Sequence, residues 1–299
     1  MTDILQGLVS GGLPFLFAWV LPSAIAVSAF ALEIFPLAKH LAVLEAISGM
    51  SGASQALVMA FVAVAIALIM NAVDTPLYRV VEGYVWPGGL QNWGSKRQLS
   101  KRCHLETKTD RRHEGWRRDL LDERLQRYPA GDDLAPTALG NALKAFEGYA
   151  LDHFNLNSQL LWVDLYGVVG DETRAEYERS RAAVDFFVAT FYLSALYGVI
   201  SLAAGIVTGK WAAAIGAGIA FALMPAWYRL AVQSTSYWAK ATKALVDLGR
   251  KPLADQLGLR LPSTTDAERR MWGIVNAFVY YKYEDEAGKA LDPFRLKSL

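Results

Sequence analysis

Apolar residues gather into four blocks along the chain, and nearly all the charge lies between them. The first block is the uncharged stretch between Asp3 and Glu33, strongest from Gly11 to Leu32. A helix that long, at about 1.5 Å per residue, crosses a hydrocarbon layer of about 30 Å. The acidic start and the length of the run favour a span over a cleaved leader. Pro14 and Pro22 predict a kinked or partly interfacial first helix. The second block runs from Ala46 to Val73, its core at Ala56 to Met70, with Gly49, Gly52 and the nearby serines read as the turn before it. The connection from Glu33 to Ser54 holds Lys39, His40 and Glu45, with enough apolar residues for a short interfacial helix.

The third block is Phe186 to Gly209 and the fourth Trp211 to Tyr228, so close together that they predict a tight antiparallel hairpin. Trp211 at one end, and Trp227 with Tyr228 at the other, suit the two membrane interfaces. The expected fold class is therefore an all-α membrane protein. Its four transmembrane helices form two hairpins, residues 1–73 (helices about 11–32 and 55–73) and 185–230 (helices about 185–208 and 211–229). A helical loop domain occupies 74–184 and a helical tail 231–299.

The polar segments carry their own periodicity. DETRAEYERSRAA, from Asp171, lacks Gly and Pro and reads as the start of one helix continuing to about Val207. Arg174, Glu178 and Arg181 are spaced to pair along its exposed face. The fourth helix continues from Arg229 toward Leu248, with Gln233 to Ser236 as a weak point. Leu139, Leu143, Phe146 and Ala150 make one helical face, with Thr137 as its cap. Leu156 to Val169 reads as a re-entrant, interfacial or buried helix; fourteen residues around Asp164 are too few for a fifth span. RKPLADQLGLRLP predicts a short helix ended at Gly258, and Ala267 to Tyr283 an amphipathic one with Tyr280, Tyr281 and Tyr283 on an aromatic face.

Charge orients this arrangement. Lys96 to Arg118 holds nine basic residues against three acidic ones, and Arg229 onward holds twelve basic residues, whereas the other side offers only Lys39 and Lys210. The positive-inside rule places both termini and the long loop in the cytoplasm, which implies a multi-pass protein of a bacterial inner membrane. Composition adds little more. Lys and Arg number 30 against 29 Asp and Glu, which gives no reason to expect nucleic acid as a partner. The single cysteine, Cys103, excludes an intramolecular disulfide.

Candidate chemistry is sparse. Cys103, His104 and His113, near Glu106 and Asp110, lack the spacing of a structural zinc site. No HExxH, phosphate loop, GxSxG or dinucleotide fingerprint is present, and GGLQNWGS from Gly88 reads as a loop. No enzyme, metal or cofactor is expected. The basic cluster, bracketed by Trp93 and Trp116, has two readings: a solvated positive-inside signal, or a surface in which Lys96, Arg97, Lys101, Arg102, Arg111 and Arg112 contact anions or lipid headgroups.

PTALGNALKAFEGYALDHF, then LLWVDLY, a membrane hairpin and ALVDLGRKPLADQLGL together resemble uncharacterised integral membrane proteins of high-GC bacteria. The resemblance covers most of residues 120–283 and brings no activity to any position. In architecture alone, four spans with a large cytoplasmic part are similar to bestrophin-type anion channels, whose sequence motifs are missing here.

The expected function is an oligomeric, channel-like pore, a homo-oligomer in lipid passing inorganic ions around a symmetry axis. Sparse intramembrane charge argues against a buried carboxylate relay and suits an apolar constriction. Phe15 and Trp19 on the first helix, with Phe61, Met70 and Asn71 on the second, are the candidate lining residues. The alternative is a membrane-anchored scaffold or sensor that binds protein or lipid through its cytoplasmic part.

Overall fold

A computed structural model describes residues 12–33, 36, 42–111, 115–131, 133–280 and 285–296. These residues are helical almost throughout, and the β pairing among them is an isolated antiparallel bridge between Leu259 and Arg295. The helices are α1 (Leu13–Glu33), α2 (Ala42–Ser48), α3 (Gly52–Ala72), α4 (Asp74–Glu82), α5 (Gly88–Asp110), α6 (Trp116–Leu125) and α7 (Ala138–Glu147). They continue as α8 (Tyr149–Phe154), α9 (Trp162–Val168), α10 (Asp171–Thr208), α11 (Trp211–Gln256), α12 (Thr265–Tyr280) and α13 (Asp285–Leu291). Four of them, α1, α3, α10 and α11, are long and apolar enough to cross a membrane. The protein is thus a four-span helical membrane protein with a further helical region.

Two compact units divide the chain, residues 1–81 with 179–235 and residues 82–178 with 236–299. The first holds the spans. Pro22 deforms α1 as its chemistry requires. It cannot donate to the carbonyl four residues back, and Leu16–Val20 just before it widen into a π-helical turn. Ser51 caps α3, its hydroxyl accepting from the Ser54 amide at 3.3 Å, so Gly52 opens the helix instead of belonging to the preceding turn. Lys39 and His40 lie outside the described residues, whereas α2 supplies the short helix expected between the first two spans.

Small residues let the spans close up. Ala18 and Trp19 of α1, Ala67 of α3, and Ala182 and Ala189 of α10 form one buried cluster, with Phe15 and Met70 packed against it. Gly209, at φ +67°, turns α10 into α11 in the left-handed conformation that glycine tolerates best.

The second unit has its own core: Leu156, Leu161, Leu165 and Val169, then Leu245, Val246 and Leu253 of α11, and Met271, Trp272 and Val275 of α12. Leu156 to Val169 is therefore a connection ending in the short α9, with Leu156, Leu161, Leu165 and Val169 buried in this core and Val163 exposed. An aromatic group of Trp162, Tyr166, Tyr177 and Trp238 flanks this core. Burial, followed by the hydrogen bond to the Glu178 carboxylate at 3.0 Å, pushes the Tyr166 phenol up to about 12. Thr137 caps α7 as expected, accepting from the Gly140 amide at 3.0 Å.

Three expectations change. GGLQNWGS is not a loop; it is the first two turns of α5, launched from Pro87. The weak point at Gln233 to Ser236 does not break α11, which runs unbroken for 46 residues, about 69 Å. It therefore absorbs the short helix expected after Arg250, which proves to be its last turns. The stop at Gly258 is as read. That residue takes φ +70° while the Leu259 amide donates to the Ala254 carbonyl at 2.8 Å, a Schellman-type closure.

Candidate functional site

The exposed face of α3 is the first candidate. Of the four spans α3 is the least covered by the rest of the chain among the described residues. Leu57, Phe61, Val64, Leu68 and Asn71 are all exposed, Phe61 at 76% and Leu57 at 72%. Their spacing of four, three, four and three residues keeps them on one side of the helix, in the repeat by which helices form seams with other helices. The stripe is apolar through the middle of the span and ends in the Asn71 amide one residue before the helix ends. Among the other candidate lining residues, Trp19 is buried at 3% exposure, and Phe15 and Met70 are partly buried beside it. Phe61 and Asn71 alone of those five reach the outer face.

An ionic cluster lies where α3 gives way to α4. The Arg181 Nη2 is 3.3 Å from Asp74 Oδ2, its Nε is 3.6 Å from Asp185 Oδ2, and the Tyr78 hydroxyl donates to Asp185 Oδ1 at 2.5 Å. Tyr192 donates to the Leu77 carbonyl at 2.8 Å. Asp185, only 7% exposed in its side chain, is thus satisfied by a cation and a phenol, as a buried carboxylate demands. Along α10, Arg174 meets Asp171, Glu178 accepts from Tyr166, and Arg181 reaches Asp74 and Asp185.

The basic segment is the second candidate, and α5 splits it into two faces. Trp93, Arg97, Lys101, His104 and Lys108 lie on the exposed face, with the Arg97 guanidinium 5.4 Å from the Trp93 ring centre. Burial, and then the neighbouring Arg97 charge, push the Lys101 ammonium below its ordinary range. Lys96 and Arg111 are also exposed. Arg102 is not free for a headgroup. It pairs with Glu106 at 2.8 Å and donates to the Gly131 and Pro129 carbonyls at 2.8 and 3.3 Å. Arg112 and His113 lie outside the described residues, as do Tyr281 and Tyr283. Exposed Trp116 carries Arg117 over its ring at 5.1 Å.

No group of three or more His, Cys, Asp or Glu among the described residues is placed to hold a metal ion, and Cys103 is an exposed thiol. The Asp74–Arg181–Asp185–Tyr78 cluster went unnoticed in the sequence because its members lie 107 residues apart. The one available signal was an aspartate at the very edge of the third apolar block.

Comparison with protein-family models, with curated proteins and with solved structures finds no match for this chain.

Proposed function

We propose that the protein is an oligomeric membrane pore whose subunits meet along α3. The observation that carries this reading is the stripe Leu57–Phe61–Val64–Leu68–Asn71, a seam-like repeat left uncovered on the least covered span. An amide at the end of an exposed apolar stripe is costly against hydrocarbon and well placed at a water-filled mouth. Copies around an axis bring Phe61 together at mid-span, an apolar constriction of the kind that gates by dewetting. Four spans enclose little by themselves, so symmetry supplies the path.

Particle mass and symmetry in lipid nanodiscs, with conductance in a planar bilayer, test this directly. A closed ring is expected, with Phe61→Ala raising unitary conductance severalfold and Asn71→Asp shifting selectivity toward cations. A monomer at every lipid ratio, silent in the bilayer, would overturn the pore. It would favour a membrane-anchored scaffold working through the separately packed second unit, which has an independent core of its own.

A further inference from the structure

The last residue of α1, Glu33, turns its carboxylate into the unit of spans instead of away from it. Both carboxylate oxygens occupy the place where a Cβ on Gly216 of α11 would stand. Gly216 is the sixth residue of α11, about 8 Å along its axis from Trp211. Glu33 Oε1 is closed off from solvent and has no hydrogen-bond partner among the described residues. Charged side chains are absent from every span packed around this point. In α1, Glu33 is the only one; α3 has none; Phe186 to Gly209 of α10 and Trp211 to Tyr228 of α11 have none. The nearest charges along the chain are Lys210 in the turn, Glu45 on α2, and Lys39 and His40 outside the described residues.

We propose that Glu33 is a proton-binding site within the membrane unit, its carboxyl held neutral on the bare backbone of α11 at Gly216. Among the described residues no cation or donor meets Oε1 to offset the desolvation of an ionised carboxylate, and a bound proton removes that cost. A metal ion is a poor alternative ligand. Alkali and alkaline-earth cations need several oxygens, and no group of three or more His, Cys, Asp or Glu forms around Glu33 among the described residues. Gly216 gives the site its shape, because any side chain there takes the carboxyl's seat. Loss of the proton has a mechanical consequence, since the charged group is driven out of the contact and α1 is released from α11.

Lipid-soluble carbodiimide reads this chemistry without any transport assay, so the result is separable from the pore reading. The carboxyl O–H adds across the carbodiimide C=N bond: oxygen bonds to the central carbon and the proton passes to nitrogen. The O-acylurea then shifts its acyl group to nitrogen, and nothing leaves. With the full chain in nanodiscs and N,N′-dicyclohexylcarbodiimide as probe, one adduct is expected on the Glu33 peptide at about pH 6. Its formation should fall about tenfold per pH unit beyond the carboxyl's midpoint. A water-soluble carbodiimide at the same concentration should label Glu33 at least roughly tenfold more slowly, because Oε1 is closed off from solvent and lies within the unit of spans. Glu33→Gln removes the adduct and keeps the elution profile. Gly216→Ala expels the carboxyl and reverses the preference between the two reagents. Absence of the adduct from the folded wild type at every pH overturns the proposal, as do equal rates with both reagents. Should Gly216→Ala fail to fold, the reagent ratio and pH profile of the wild type still decide.

Discussion

Asp185 shows how one side chain at the end of an apolar block carries more than its position in the sequence suggests. It ends a charged stretch by composition, yet in the fold it is nearly buried and shared between Tyr78 and Arg181, so it ties α4 to α10. Replacing it with Asn keeps the shape and removes the charge that strengthens both contacts. A loss of about 1–3 kcal/mol is expected for Asp185→Asn, with part of the Arg181 interaction retained through Asp74. Tyr78→Phe should cost about 1 kcal/mol, and the two changes together less than their sum, because one removes and the other weakens the same hydrogen bond. Thermal unfolding in detergent measures all three. Strict additivity would show that the phenol and the carboxylate do not interact.

At the scale of elements, α5 explains which parts of the fold were legible and which were not. The spans were readable because lipid demands long uninterrupted apolar runs, and the hairpin because Gly209 and Lys210 leave room for nothing else. The inner face of α5 is Gln91, Gly94, Ser95, Gln98 and Arg102, a polar set that no helical hydrophobic period reveals. The reason is its partner. Residues 128–131 and 133–136 pass across this face as irregular chain, and their carbonyls need donors: Ser95 Oγ donates to Leu134 O at 2.9 Å and Arg102 to Gly131 O at 2.8 Å. The same partner accounts for Gly94, where the Pro136 backbone approaches so closely that a Cβ would sit 2.6 Å from its carbonyl oxygen and 3.0 Å from its Cα. Gly94, which looked like loop punctuation, serves a close approach inside a helix. Gly94→Ala should therefore destabilise the second unit by about 1–3 kcal/mol despite alanine's better helix propensity. Gly88→Ala, with open space around its Cβ, should be neutral or stabilising. Chemical denaturation followed through Trp93 and Trp116 fluorescence compares the two, and equal effects would remove the packing explanation. The candidate sites were less legible than the spans. Phe61 and Asn71 were chosen by position alone, and only packing separates them from Trp19, which is buried.

Across the whole molecule, the distribution of charge makes a claim about sidedness that the lone cysteine can test. Cys103 is exposed on α5 in the basic segment, and Gly209 sits in the short turn between the last two spans. Basic residues near the ends of spans are retained on the inner side, and the expectation is that these two positions lie on opposite faces of the membrane. In intact cells a membrane-impermeant maleimide should leave wild-type Cys103 unlabelled and label it fully once the membrane is opened. Moving the thiol by Cys103→Ser with Lys210→Cys, beside the turn glycine, should invert the pattern. Lys210 is exposed and adjoins the left-handed Gly209, so the exchange disturbs no packing and leaves the turn conformation to the glycine. Labelling of Cys103 in intact cells would reverse the orientation and place the exposed basic face of α5 outside. Asn71 would then mark an outer mouth, and Glu33 would exchange its proton with the cell interior.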